Sequence, residues 1–490
     1  MSRIPASRPG SPAESPTKPV RQRKYRRLLF GLLGASVVLR IALVLSGGQK
    51  FWPDEIRYDR ARAVTEVLWQ GDFAAARRAV AAHPEHFLFG IIGLIPASIE
   101  HVAGRDDRIP ALFFSLFSVV SIALLYGLVR QLGEGEPAAC LAALLLAVST
   151  THLYYARHLL PYDAAMAFGL GALTAAVRPT WNLKGTVLCG VLSAATLLTY
   201  NGYFLLAGSA LVLNVLWASS RRDAARRLGV GAAACALPVA ATTVVGTLQN
   251  GDFLRRWGDF MTAVTQGKFA EGWRLPFSYL WHAEHLLTAL WAAAFLFAAV
   301  RLVRGDRSKA FLFGVAGILL IYAGLVVGSV VLRKFVVYGR LVRQLVPFAC
   351  VLSAVAIQRI AASGSRGRIV GRAAVACAIC QAAWNFYPPL VQVFPVDFRR
   401  MAAEIPNPGR RPRLLLYADF IYPKPALPPA EGAVLLARRH PLQFLPYQYE
   451  GYGPDVRADL REVNIQMRLV EAPLGSGSAD DQAVSASPPR

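Results

Sequence analysis

Apolar runs about as long as a bilayer is thick recur along almost the whole chain, and they constrain the fold more than any other feature. They fall near 28–47, 109–130, 138–155, 164–177, 185–200, 203–218, 228–247, 284–300, 310–331, 345–361 and 370–390. With 54% hydrophobic and only 17% charged residues over 490 positions, the composition excludes an ordinary soluble protein. Within hydrocarbon the backbone must satisfy its own hydrogen bonds, so such runs are expected as helices. The expectation is an α-helical polytopic membrane protein with about eleven transmembrane helices.

The formal net charge of +23 raises the question of a nucleic-acid partner, and the distribution of the charge answers it. Basic residues gather in short gaps between apolar runs, which is the pattern of cytoplasmic loops. No nucleic-acid partner is expected. The candidate run "HFLFGIIGLIPASIEHVAG" (86–104) decides the orientation of everything after it. Leaving it out of the count puts "SSRRDAARR" (219–227), "RLVRGDRSK" (301–309) and "RIAASGSRGRIVGR" (359–372) on the cytoplasmic side, each with four Lys or Arg. Counting it as a span throws all three outside. It is therefore read as a helix in or near the outer interface or as a shallow re-entrant piece, readings that Pro96, two interior glycines and the flanking His86 and His101 suit better than a clean span. The protein is expected in the cytoplasmic (inner) membrane, with its N-terminus cytoplasmic and its C-terminus periplasmic or extracellular.

Residues 1–27, rich in Ser, Pro and Arg, read as a disordered basic cytoplasmic tail. The next run reads as an uncleaved anchor, since no small-residue cleavage signature precedes "FWPDE". The transmembrane domain is expected over 28–390, with a long first outer loop at 48–108. Composition then changes. "RLLLYADFIY" and "AVLLARRHPLQFLPYQYEGY" read as strands around "PKPALPPAEG", so a small α/β outer domain is expected at 391–473, followed by a disordered tail at 474–490. All six cysteines sit in apolar runs, and the Cys377/Cys380 pair reads as helix packing rather than redox chemistry. No internal repeat or recurrent interrupted helix is evident, which weighs against a repeat-built transporter.

The polar motifs converge on the outer side. "FWPDEIRYDR" (51–60) sets Asp54 beside Glu55 just past the first run. The pair serves either as a solvated cap for the following helix or as a general base and its neighbour at the lipid edge. "RHLLPYD" (157–163) brings Arg157 and Asp163 to the same face; Asp163 is either an N-cap or, opposite Glu55, part of a base-and-orienter pair or a divalent-metal site. "KFVVYGRLVRQLVPF" (334–348) places Arg340, Arg343 and Gln344 at i, i+3 and i+4. That face reads either as a stop-transfer cluster reaching headgroups or as a guanidinium fork for a phosphate. "AAHPEHFLFG" (81–90) carries His83, Glu85 and His86, too few donors for zinc, and reads as the rim of a cleft. Arg40, in the first run, reads as snorkelling to the outer edge.

Taken in order, these motifs resemble the GT-C integral-membrane glycosyltransferases, in the branch that contains protein O-mannosyltransferases and the aminoarabinose and galacturonic acid transferases of lipid A and its core. "DEIRY" (54–58) is similar to the DE-x-RY form of the lipid A branch. "HPE" (83–85) stands where that branch tends to show HPP. "RHLLPYD" matches its Arg–Pro–Asp motif with one extra residue before Asp163, and "YGRLVRQLVP" (338–347) matches its late RY…P segment. The resemblance covers about 28–350. It implies a GT-C-like fold and a polyprenyl-phosphate-linked sugar as donor. It further implies inverting transfer to a hydroxyl of a lipid, glycan or protein acceptor at the outer leaflet, with membrane lipids as surroundings. By the same resemblance Asp54 is the general base, while Glu55 and Asp163 orient the acceptor or a divalent metal, no cofactor being certain. Arg57, Tyr58, His83, Arg157, Tyr338, Arg340 and Arg343 are then the substrate-binding set. The alternative reading is a transporter or flippase of an anionic lipid or glycolipid.

Overall fold

The computed structural model describes residues 18–45, 57–82, 85–156, 158–178, 181–263, 272–335, 337 and 339–385, with two short segments at 434–438 and 465–469. Helix α1 (Lys18–Leu45) is followed by three shorter helices, α2 (Asp59–Trp69), α3 (Phe73–Ala81) and α4 (Phe87–Ala103). The first half of the bundle comprises α5 (Arg108–Gln131), α6 (Glu136–Val148), α7 (Thr150–Tyr155), α8 (Tyr162–Ala176), α9 (Leu183–Thr199), α10 (Phe204–Leu216) and α11 (Arg221–Gln249). After α12 (Phe253–Ala263) and α13 (Leu275–Glu284), the second half comprises α14 (Leu286–Val303), α15 (Lys309–Val326), α16 (Gly339–Val342), α17 (Val346–Ala362) and α18 (Ser365–Asn385).

Every one of the eleven apolar runs contains a helix. Among the described residues, six helical stretches are long and apolar enough to cross a membrane: Arg23–Leu45, Arg108–Gln131, Arg221–Gln249, Leu286–Val303, Lys309–Val331 and Gly339–Ala362. One run departs from expectation. The stretch 138–155, read as a single span, breaks at Ser149, whose backbone is extended and whose hydroxyl accepts from His152 N at the start of α7. A Ser-Thr-Thr sequence offers side-chain oxygens that compete with helix continuation.

Helix packing in lipid gains little from hydrophobicity and relies on close approach of small residues. Here a side chain on Gly190 of α9 would strike the α11 backbone at Gly231, and one on Gly317 of α15 would strike the Phe348 ring of α17. Alanine-rich α8 and the first three turns of α17 are almost wholly buried. By contrast α11 turns Leu237 and Leu248 outward, 69% and 79% exposed, a surface suited to hydrocarbon rather than water. Helix α4 is divided along its length. Phe89, Gly93, Pro96 and Ala97 are buried, with Gly93 seated on Ala61 of α2, whereas Ile91, Ile95, Ile99 and Val102 form an exposed apolar stripe. Such an exposed apolar stripe is suited to contact with lipid.

A second, smaller apolar core (Tyr58, Ala61, Phe89, Phe114, Leu159, Ala164) joins α2 and α4 to α5 and to the start of α8. It fixes the first-loop helices beside the motif at 157–163. Cys377 and Cys380 do not pack as expected: both are exposed on α18, because the buried side of that helix runs through Ala378 and Gln381 instead. In the C-terminal segment β1 (Val434–Arg438) pairs antiparallel with β2 (Ile465–Leu469), Val434 opposite Leu469. β1 lies inside one stretch expected as strand, and β2 lies outside both. The other expected strand, 413–422, lies outside the described residues, as do 1–17 and the tail at 474–490; residues 18–27, expected as part of a disordered tail, instead form the first turns of α1, continuous with the apolar run that follows.

Candidate active site

Asp163 sits in the first turn of α8, where the helix dipole favours a carboxylate. It does not act as a cap: the N-cap position belongs to Pro161, and the Asp163 carboxylate is buried in an ion pair with Arg343. Arg343 comes from the other end of the chain. The late motif is not one continuous helix but α16, a tight 3-10 turn at Arg343–Leu345, and then α17, whose second residue is Pro347. Proline at the start of a helix costs no hydrogen bond, so the break is cheap there. The turn swings Arg343 and Gln344 into the protein, 1% and 0% exposed. The headgroup-reaching alternative for these two is thereby corrected.

Gln344 locks the turn in place. Its Oε1 accepts from Leu206 N at 2.9 Å, satisfying an open donor at the start of α10, and its Nε2 donates to Leu341 O at 2.9 Å and Gly202 O at 3.2 Å. Arg343 Nη2 donates both to Asp163 and, at 3.0 Å, to His152 Nδ1. The other ring nitrogen of His152 lies 3.0 Å from the carbonyl oxygen of Ser118, which can only accept. His152 is therefore the neutral Nε2–H tautomer, with Nδ1 free to receive the guanidinium proton. Glu284 anchors this arrangement from behind. Its buried carboxylate accepts from Ser149 Oγ (2.6 Å), Thr150 N (2.9 Å) and Thr151 N (2.8 Å), which closes the N-terminus of α7.

Arg340 points toward the same region: its Nη1 donates to Tyr162 Oη at 3.1 Å. Tyr162 begins a row of rings, with Tyr200 at 4.7 Å, then His86 stacked on Tyr200 at 5.2 Å. Arg57 reaches the far end of that row, donating to His86 Nε2 at 2.7 Å. His86 has left-handed backbone angles (φ 58°), unusual for a residue with a side chain. Burial first, then the guanidinium groups of Arg57, Arg60 and Arg340, hold its imidazole well below the usual pKa, so it is neutral. Next to it, Arg57, Arg60, Val64, Val80, Glu85 and Phe87 line an open pocket among α2, α3 and α4. Arg60 is paired with Glu85 at its wall, and His86 receives Arg57.

Tyr58 behaves differently from the other substrate-binding candidates. It is fully buried, with its hydroxyl on Glu100 at 2.9 Å and Arg62 stacked on its ring at 4.8 Å. Arg62 also binds Glu100, Asp59 (2.6 Å) and Asp107 (2.6 Å), so the cluster clamps α2 to α4 and α5. Among the described residues no group of three His, Cys, Asp or Glu side chains could hold a metal. Asp54, Glu55, His83, Arg157 and Tyr338 lie outside the described residues. The structure thus unites Asp163, Arg343 and Arg340, links Arg57 to them through His86 and two tyrosines, and sets Tyr58 apart.

Four participants escaped the sequence reading. His152 and the Ser-Thr-Thr before it were absorbed into an apolar run, though four polar residues in succession signal a break. Glu284 reads in the sequence as the first residue of the apolar run at 284–300. Arg40, expected to snorkel, is instead buried: its Nε donates to Ser118 Oγ at 2.9 Å and its Nη1 to Ser36 O at 3.3 Å. Hydropathy cannot say which side of a helix meets protein.

No protein-family model matches the chain, and no curated protein matches its sequence. Solved structures do match. ArnT from Cupriavidus metallidurans bound to undecaprenyl phosphate superposes with a TM-score of 0.53 at 17% identity, over 81% of this chain and 68% of that one. The same protein in its apo state gives a TM-score of 0.54 at 17% identity, over 75% of this chain and 65% of that one. The chain thus spans about two thirds of the length of ArnT. An oligosaccharyltransferase of Archaeoglobus fulgidus aligns with a TM-score of only 0.42 at 14% identity, over 74% and 55% of the two chains. Eleven apolar runs, short helices between the first two of them and the superposition on ArnT together give this chain the fold of ArnT, the GT-C fold.

Proposed function

We propose that the protein is a glycosyltransferase that moves a sugar from a polyprenyl-phosphate donor to a hydroxyl acceptor at the outer face of the membrane. The observation that carries the reading is the buried junction of Asp163, Arg343 and His152 beside Arg340, where segments far apart in sequence bring cations and a carboxylate to one place. ArnT, whose fold it shares, has been seen with undecaprenyl phosphate bound.

Transfer requires a base for the incoming hydroxyl and positive charge for the departing phosphate. Asp54 takes the acceptor proton as the hydroxyl oxygen attacks the anomeric carbon. The carbon–phosphate-oxygen bond breaks as the new glycosidic bond forms, the polyprenyl phosphate leaves with the electron pair, and configuration inverts. Arg340 and Arg343, with Arg57, Arg157, Tyr338 and His83 toward the rim, bind the donor and compensate the phosphate charge. Asp163 holds Arg343 in place, and Glu55 orients the acceptor. Tyr58 is assigned a positioning role through Glu100. The eleven-span topology with a cytoplasmic N-terminus and an outer C-terminal α/β domain belongs to the same reading.

The test is mass spectrometry of envelope lipids and glycans from cells lacking the protein, complemented with wild type or Asp54→Asn. A mass loss of one sugar, restored by wild type alone, is the expected result. Restoration by both would remove Asp54 from the chemistry. Unchanged masses with a precursor retained on the inner leaflet would indicate transport instead.

A further inference from the structure

Among the described residues, two buried arginines, Arg40 and Arg343, share one network inside the bundle and have a single carboxylate on it, whereas buried Arg227 has its own partner in Asp223. Arg40 is 0% exposed and Arg343 is 1% exposed. A continuous set of hydrogen bonds joins them: Arg40 Nε to Ser118 Oγ at 2.9 Å, the Ser118 carbonyl to His152 Nε2 at 3.0 Å, and His152 Nδ1 to Arg343 Nη2 at 3.0 Å. Ser118 spends its own hydroxyl proton on Ser115 O at 2.7 Å and His152 is neutral, so neither contributes negative charge. Asp163 is the one carboxylate on this path, and it is paired with Arg343. Arg40 Nη2 and Arg343 Nε and Nη1 are buried and have no hydrogen-bond partner among the described residues.

Buried guanidinium N–H groups without acceptors are costly, and an uncompensated buried charge more so. Orphaned donors on two arginines joined by one network have a common chemical complement: an oxyanion with several acceptor oxygens, for which a phosphate is suited in charge and geometry. We propose that Arg40 and Arg343 form a buried phosphate subsite, with Arg40 of the first helix sharing the anionic group of the donor. This rests on the transferase reading above and adds a residue that none of the matched motifs contains. Ser118 and His152 keep the two guanidiniums in register. The shared chemistry is a phosphate on an apolar chain, and the assignment is to the polyprenyl phosphate rather than to an ordinary phospholipid.

The experiment measures binding of undecaprenyl phosphate to the purified full-length protein in neutral detergent, by ligand-dependent shift of the thermal transition, with phosphatidic acid and inorganic phosphate as competitors. Loss of one charge-assisted contact is expected to weaken binding about tenfold to a hundredfold in Arg40→Gln. Arg40→Lys, which keeps the charge, is expected to bind within about threefold of wild type, a difference below one hydrogen bond. Ser118→Ala, which releases Arg40 Nε without removing charge, is expected to weaken binding severalfold and covers the case in which Arg40→Gln fails to fold. Wild-type affinity in a folded Arg40→Gln, or in Ser118→Ala if Arg40→Gln does not fold, would overturn the subsite and leave the transferase reading standing. Equal competition by phosphatidic acid would overturn the assignment to the donor. Failure of the wild type to bind undecaprenyl phosphate would overturn both.

Discussion

Asp163 and Arg343 are each legible in the sequence as polar residues beside an apolar run, yet their partnership is a property of the fold. Removing either leaves its partner charged and buried, which costs about 3–5 kcal/mol, whereas replacing both with apolar residues can be nearly neutral. Asp163→Asn and Arg343→Met are therefore each expected to lower the melting temperature in detergent. The double variant Asp163→Leu/Arg343→Met is expected to recover most of that loss while staying inactive in the sugar-transfer assay. Recovery of activity along with stability would make the pair purely structural. His86 supplies a pH prediction. Its folded pKa lies well below the ordinary 6.5, so below that value the unfolded chain binds a proton that the folded chain refuses. Stability then rises with pH in this window and falls as pH drops below about 6.5. Thermal melting from pH 7 to pH 5 should decline less steeply in His86→Gln than in wild type. The histidine that the sequence did not disclose is His152: inside an apolar run its tautomer and partners depend on Ser118 and Arg343, 34 and 191 positions away.

Helices were the most legible level, because apolar length is written directly in the chain while breaks are written in a few polar residues. The runs at 109–130 and 310–331 became helical stretches of nearly those bounds, the second ending in a π-helical turn at Val327–Val331. The run at 138–155 did not, since Ser149 and the carboxylate of Glu284 together reward a new helix start. Helix α4 is the case with the widest consequence. Its buried side is built from small residues against α2, and its stripe of Ile91, Ile95, Ile99 and Val102 is left for lipid. A membrane-partitioning photolabel is expected to mark Ile95 and Ile99 and to spare Gly93 and Ala97. Labelling of Ile91 and Val102 at opposite membrane depths would instead describe a span, and every later helix would reverse.

At the scale of the whole molecule, orientation decides which loops form the reactive face. Thiol labelling with an impermeant maleimide in a cysteine-free background tests it: Ala74→Cys, exposed on α3, is expected to react in intact cells, and Arg222→Cys, exposed at the start of α11, only after permeabilisation. The inverse result would place the basic loops outside and remove the common outer face. The site itself draws on α5, α7, α8 and the turn before α17, with α13 bracing α7 and Gln344 bracing α10. That distribution bears on how such a protein can be recombined. A crossover with a relative between positions 200 and 330 would inherit Asp163 and His152 from one parent and Arg343 and Glu284, or Arg343 alone, from the other. Segments that never touch in the linear chain are thus bound as one heritable block that reaches back to Arg40 of α1 through Ser118, and chimeras survive best with their junctions after α17.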